Sequence, residues 1–211
     1  MKELTIGVLG LQGAIEEHVA ATSLALEKMG LKGNVLWVKT IEDVQAVDGL
    51  IIPGGESTVM GGLSTPNQTL EAIRERIYDG MPVLGTCAGL VLLAKRVYDR
   101  VVGEPNQPLL GVMDVVVERN AFGRQRESFE ADLDIIALGE KRFKGVFIRS
   151  PAIRETGPQV EVLSKLDDVK VAVQQHNMVG TAFHPELTED TRLHQFFVNM
   201  ITGYIKINEN R

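Results

Sequence analysis

Gly85-Thr86-Cys87-Ala88-Gly89 joins a short apolar stretch, residues 82–86, to the helix-like Leu90-Val91-Leu92-Leu93-Ala94. The arrangement fits a nucleophile elbow with cysteine in the place of serine. A sharp strand-to-helix turn strains the nucleophile's backbone and crowds it with neighbouring chain, and glycine two positions before and after relieves the crowding. The thiol then projects from the C-terminal end of the strand. There the first turn of the helix offers free amides to an oxyanion and partial positive charge to a thiolate. Cys87 is the single cysteine of 211 residues. An internal disulfide and a multi-cysteine metal site are therefore excluded, which leaves either a thiol packed in an apolar core or a reactive one.

A general base for such a thiol is offered by Phe183-His184-Pro185-Glu186-Leu187, which follows the apolar run 178–183. Residues two apart on an extended chain point to the same side, so His184 and Glu186 can lie together. One ring nitrogen could take the Cys87 proton while the other donates to Glu186, which fixes the tautomer and stabilises the charged ring. The plainer alternative is a satisfied surface histidine near a turn. Pro53-Gly54-Gly55-Glu56-Ser57 is a third candidate, again directly after a buried strand. In a parallel sheet it falls on the same C-terminal edge as Cys87, and the Gly54 and Gly55 backbone can turn an amide toward an oxyanion beside the Ala88 amide. Ser57 can also simply cap the helix that follows.

The elements that must position these groups alternate through the first half of the chain. Residues 4–9, 34–38, 49–52 and 82–86 read as strands, and 14–29 and 70–78 as helices. Strands separated by helical crossovers imply a parallel sheet. From residue 113 the pattern changes to strand-like stretches at 113–118, 145–148, 159–166, 169–174 and 178–183, separated by turns, before a final helix over about 190–205. The expected fold is α/β: a three-layer domain with a mixed, mostly parallel sheet flanked by helices. One domain spanning 1–211 is expected, since no linker or repeat marks a boundary. His18 and His194 fall in helical segments and read as surface or packing residues. His176 reads as a turn residue, and 64–68 and 103–108 as variable surface loops.

Twenty-two basic against twenty-eight acidic residues give a net charge of −6, which argues against a nucleic-acid surface. No apolar run approaches the length of a membrane span. The N-terminus carries an acid early and lacks a cleavage pattern, so a cytoplasmic location is expected.

Taken together, the elbow and His184-Pro185-Glu186 resemble the class I (triad) glutamine amidotransferases, a flavodoxin-like α/β fold. Further stretches resemble, more narrowly, the glutaminase subunits of pyridoxal 5′-phosphate synthase. These are Leu9-Gly10-Leu11-Gln12-Gly13-Ala14, Pro53 to Thr58, Glu118 to Gln125, Ser128-Phe129-Glu130, Gly145-Val146-Phe147-Ile148-Arg149 and Phe183 to Thr188. The resemblance implies that Cys87, His184 and Glu186 hydrolyse L-glutamine through a glutamyl thioester, with Gly54, Gly55 and Ala88 forming the oxyanion hole. It implies glutamine contacts from Gly55, Glu56, Ser57, Arg119, Ile148 and Arg149, and neither a cofactor nor a metal. Without it, Arg119 and Arg149 would read as structural ion pairs or solvated charges.

The partner it implies is a pyridoxal 5′-phosphate synthase subunit that consumes the ammonia, in a large hetero-oligomer, with the Gln12-Gly13-Ala14 loop coupling docking to the oxyanion hole. Two other readings stay open: a cysteine hydrolase serving a different partner, and a non-enzymatic protein on an amidotransferase scaffold.

Overall fold

Apolar runs without alternation belong to strands covered on both faces, and they build the centre of the molecule. The computed structural model describes residues 3–64, 68–99, 101, 103–122 and 128–209. Its first half runs β1 (Leu4–Leu9), α1 (Ile15–Lys28), β2 (Gly33–Val38), α2 (Ile41–Ala46), β3 (Gly49–Ile52), α3 (Ser57–Ser64), α4 (Thr69–Tyr78), β4 (Val83–Thr86) and α5 (Ala88–Leu93). The second half runs β5 (Ala94–Asp99), β6 (Met113–Arg119), β7 (Ser128–Leu133), β8 (Phe143–Ile148), β9 (Ala152–Thr156), β10 (Glu161–Leu166), β11 (Val169–Gln175), β12 (Met178–Thr181) and α6 (Arg192–Glu209).

Ten strands form one sheet in the order β2-β1-β3-β4-β12-β11-β9-β6-β5, with β10 paired to β11. From β2 to β12 every pairing is parallel, whereas β11 pairs antiparallel with β12, β10 and β9. The expected mixed, mostly parallel sheet flanked by helices is therefore present. β7 and β8 form a separate antiparallel pair. Phe129 stacks on Phe147 at 4.7 Å between ring centroids, and Phe147 meets Phe183 at 5.7 Å, which anchors this hairpin to the chain leaving β12.

The register places the chemistry. Ile52 pairs with Gly85, and Thr86 with Thr181. Three neighbouring parallel strands thus end at one level, and Gly54-Gly55, Cys87 and His184 emerge side by side. This is the C-terminal sheet edge at which ligands of doubly wound folds bind.

The short α2 and the strands β5, β7 and β9 are missing from the sequence expectation. α2 has six residues, too few for a helical period, and is fixed instead by a capping box between Thr40 and Asp43. β5 and β7 are half exposed and lack the buried runs that betray the central strands. On α1 the buried residues are His18, Ala21, Thr22, Ala25 and Leu26, and on α6 they are Leu193, His194, Phe197, Val198 and Ile201. Each is a helical-period stripe that holds one histidine at an apolar position. The two helices pack against each other along these faces. No helix among the described residues is long and apolar enough to cross a membrane.

Candidate active site

Between β4 and α5 the chain turns so sharply that Cys87 adopts φ 48°, ψ −100°, a conformation non-glycine residues rarely hold. Its amide donates to Thr181 O at 2.8 Å, which ties the elbow to the end of β12. The turn also presses α5 onto β3. A Cβ on Gly89 would stand 2.0 Å from Ile52 O, so only glycine permits the approach. Cys87 is 8% exposed, and its sulfur lies 4.0 Å from Ile148 O at the end of β8.

His184 and Glu186 meet by a route that differs from the expected one. β12 ends at Thr181, and Pro185–Leu187 form a single 3-10 turn with His184 as its N-cap. Proline lacks the N–H that a first helical turn leaves unpaired, and its fixed φ suits that position. Curling the chain this way brings His184 Nδ1 to 2.7 Å from Glu186 Oε1. The His184 amide donates to Val146 O at 2.8 Å, holding the ring's base against β8. Gly54 packs on the ring so closely that a Cβ there would lie 2.3 Å from His184 Cε1.

Burial of the His184 ring favours its neutral form. Its interactions with Cys87 and Glu186 outweigh that and raise its pKa to about 10. The ring is thus an imidazolium held between sulfur and carboxylate. Such a ring, beside a cysteine nucleophile, can act as the acid that protonates a leaving group.

In front of Cys87 lies a cavity of about 310 Å³, within the range of small-ligand sites. Gly54, Gly55, Glu56, Ser57, Ala88, Arg119, Ile148, Arg149 and His184 all line it with Cys87, and Glu186 stands behind His184. Arg119 Nη2 bonds Glu56 Oε1 at 3.0 Å, so a cation and an anion sit together at one wall. Arg149 holds φ 43° directly after β8. Ser57 begins α3 without capping it; its hydroxyl instead bonds Gln107 Oε1 at 3.3 Å.

Residues 103–108 form a mostly exposed loop, as expected, except that Gln107 turns inward. It is buried, and its Oε1 also accepts from Thr58 Oγ1 and Arg119 Nη1, both at 3.2 Å. Nothing local in the sequence marks it. Ser64, likewise expected in a loop, is buried in the last turn of α3, and residues 65–67 lie outside the described residues. So do Gly123, Arg124 and Gln125 of the 118–125 stretch. His176 does sit in a turn. His18 and His194 are fully buried.

These histidines set a pH dependence of stability. Burial, then the charges of His194 and His184, hold the His18 pKa well below its usual value, and burial alone lowers His194 to about 4. Between about pH 6.5 and those values the unfolded chain binds more protons than the folded one, so stability falls as pH falls, by roughly 1.4 kcal/mol per pH unit for each ring. His184 has the opposite sign. Its contribution is complete below about pH 6.5 and is lost as pH rises through about 10. Urea midpoints are expected to peak near neutrality and fall more steeply on the acid side, where two rings act together; a flat profile between pH 7 and 5 contradicts this.

The SNO glutamine amidotransferase family model matches residues 8–203. The chain is 48% identical over 196 residues to the pyridoxal 5′-phosphate synthase subunit PdxT of Nitrosopumilus maritimus, covering 93% of this chain and 96% of that protein. It is 50% identical over 198 residues to the protein of the same name from Methanosarcina acetivorans, covering 94% and 98%. A crystal structure of a glutamine amidotransferase, 44% identical, superposes with a TM-score of 0.81 over 93% of this chain and 98% of that one. With similarity running from the first strand into the last helix, this chain belongs to the SNO glutamine amidotransferase family.

Proposed function

We propose that the chain is the glutaminase subunit of a pyridoxal 5′-phosphate synthase, hydrolysing L-glutamine with Cys87, His184 and Glu186 and passing the ammonia to a synthase subunit. The observation that carries this is His184, hydrogen-bonded through Nδ1 to Glu186 Oε1 and lining the same cavity as Cys87. Family membership and the relatives named above support the substrate and the partner. Residues 1–211 act as one domain, a view supported by a sheet that runs unbroken from β2 to β5.

Glutamine enters with its ammonium and carboxylate toward the Glu56–Arg119 wall, where each charge finds its opposite. Ser57, Ile148 and Arg149 close around the rest. The Cys87 sulfur attacks the side-chain carbonyl carbon, and the oxygen that becomes negative is met by the amides of Gly55 and Ala88. His184 gives its proton to the departing nitrogen, the C–N bond breaks and ammonia leaves. Water then attacks the glutamyl thioester, His184 takes its proton, and the C–S bond breaks to release glutamate and restore the ion pair.

The oxyanion hole is controlled from the loop after β1. Ala14 N–H donates to Gly54 O at 3.0 Å, and Gln12 Oε1 accepts from the Glu56 amide at 2.7 Å. In a trans peptide the Gly55 N–H points away from the Gly54 carbonyl, so the contact with Ala14 fixes where that amide faces. A partner that displaces residues 12–14 can turn the Gly54–Gly55 peptide, which makes docking the switch for activity. Ammonia release should therefore rise on the order of 10²-fold when the synthase subunit is added, the size of one oxyanion donor gained. Equal rates with and without it reject activation by docking, and no ammonia in either rejects the glutaminase reading.

A further inference from the structure

Two histidines stand directly behind the triad and take no part in the steps above. His18 on α1 and His194 on α6 bring His18 Nδ1 to 3.1 Å from His194 Nε2. His18 Nε2 lies 3.0 Å from Thr86 Oγ1 and 3.2 Å from Glu186 Oε2. Within the described residues neither Glu186 Oε2 nor His194 Nδ1 has an aligned hydrogen-bond partner. The first is a buried carboxylate oxygen, the kind of atom whose isolation is most costly. The His18 ring is the donor within reach of it.

One placement of the protons suits these atoms. With its proton on Nδ1, His18 would turn a lone pair toward a carboxylate oxygen 3.2 Å away. His194 would then accept at Nε2 and carry a buried Nδ1–H with no acceptor. With its proton on Nε2, His18 donates to Thr86 Oγ1 and keeps the same N–H 3.2 Å from Glu186 Oε2, and its Nδ1 accepts from His194 Nε2–H. What remains is a bare lone pair on His194 Nδ1, the less costly orphan. A charged His18 would compete with His184 for Glu186; burial, then His194 and His184, keep it neutral.

We propose that His18 is a positioning residue of the triad: its Nε2–H, locked in that tautomer by His194, braces the outer oxygen of Glu186 so that the inner one stays on His184 Nδ1. The proposal rests on the triad reading above. His18 does not line the cavity, so its effect falls on turnover and not on glutamine binding.

Imidazole nitrogen spectra of the wild-type chain, which holds four histidines, should report His18 as the neutral Nε2–H tautomer; a charged ring or an Nδ1–H tautomer overturns the proposal. Alkylation of Cys87 by iodoacetamide at pH 7 needs neither glutamine nor partner. In His18→Leu it should slow roughly tenfold, in the range of lost supporting contacts at other sites. His18→Gln, whose amide N–H can reach the same oxygen, should restore most of the rate. In complex with the synthase subunit, kcat should follow the same order while KM for glutamine stays within about twofold, since binding and turnover contributions separate this way. A wild-type alkylation rate in His18→Leu overturns the proposal, as does His18→Gln being as slow as His18→Leu. If His18→Leu fails to fold, the wild-type spectrum and His18→Gln still decide. Absent ammonia release by the wild-type complex would sink the glutaminase reading and leave the spectrum and alkylation to judge His18 separately.

Discussion

Replacing Cys87 by alanine is expected to abolish ammonia release from glutamine, with the synthase subunit present, while fold and docking survive. A methyl group cannot form the thioester, and no second cysteine exists to take its place. The fold should hold because the residue contributes its backbone as much as its sulfur: the amide bond to Thr181 O and the turn into α5 are unchanged. The strain at φ 48° is also unchanged in Cys87→Ala. Cys87→Gly removes it, and its urea unfolding should show a gain of about 1 kcal/mol over the alanine variant. Ammonia at more than a trace from either variant would mean that another group attacks glutamine.

Glu186→Gln should lower kcat on the order of 10⁴-fold, comparable to the loss when the carboxylate of a Ser-His-Asp triad is made an amide. The carboxylate accepts from His184 Nδ1 at 2.7 Å and helps hold the ring charged. An amide in its place can turn its NH₂ toward Nδ1, which moves the ring's proton to Nε2 and leaves the ring neutral. The leaving amine then loses its acid. Because Glu186 stands behind His184 and outside the cavity, KM for glutamine should change little. A Glu186→Gln enzyme within tenfold of wild type would show that His184 is oriented by its neighbours alone.

Both predictions depend on how three strands end together. Parallel pairing of β3, β4 and β12, in a register that matches Ile52 with Gly85 and Thr86 with Thr181, converts three distant stretches into one site. The same edge receives residues 12–14 from β1, where the Ala14 N–H bonds Gly54 O. Cys87, His184 and Gly54 thus share one rim although they lie in separate sequence segments.

The amino-acid sequence by itself determined the local devices. An apolar strand, glycines flanking Cys87 and a following helix specify the elbow, because only glycine fits where residue 89 meets Ile52. Uninterrupted apolar runs specify the central strands, and the spacing of His184 and Glu186 makes their pairing available, although a 3-10 turn and not an extended strand delivers it.

Tertiary structure alone decided the rest. Gln107 joins Ser57 and Arg119 from a segment that looks like any polar loop. His18 and His194, 176 positions apart, become neighbours of Glu186 only when α1 packs on α6. The physical reason is the same in each case. A helix or turn is settled by bonds within a few residues, so its pattern is written locally. A buried polar contact between distant segments is settled by which faces pack together, and a single residue at one end carries no mark of the partner it will meet.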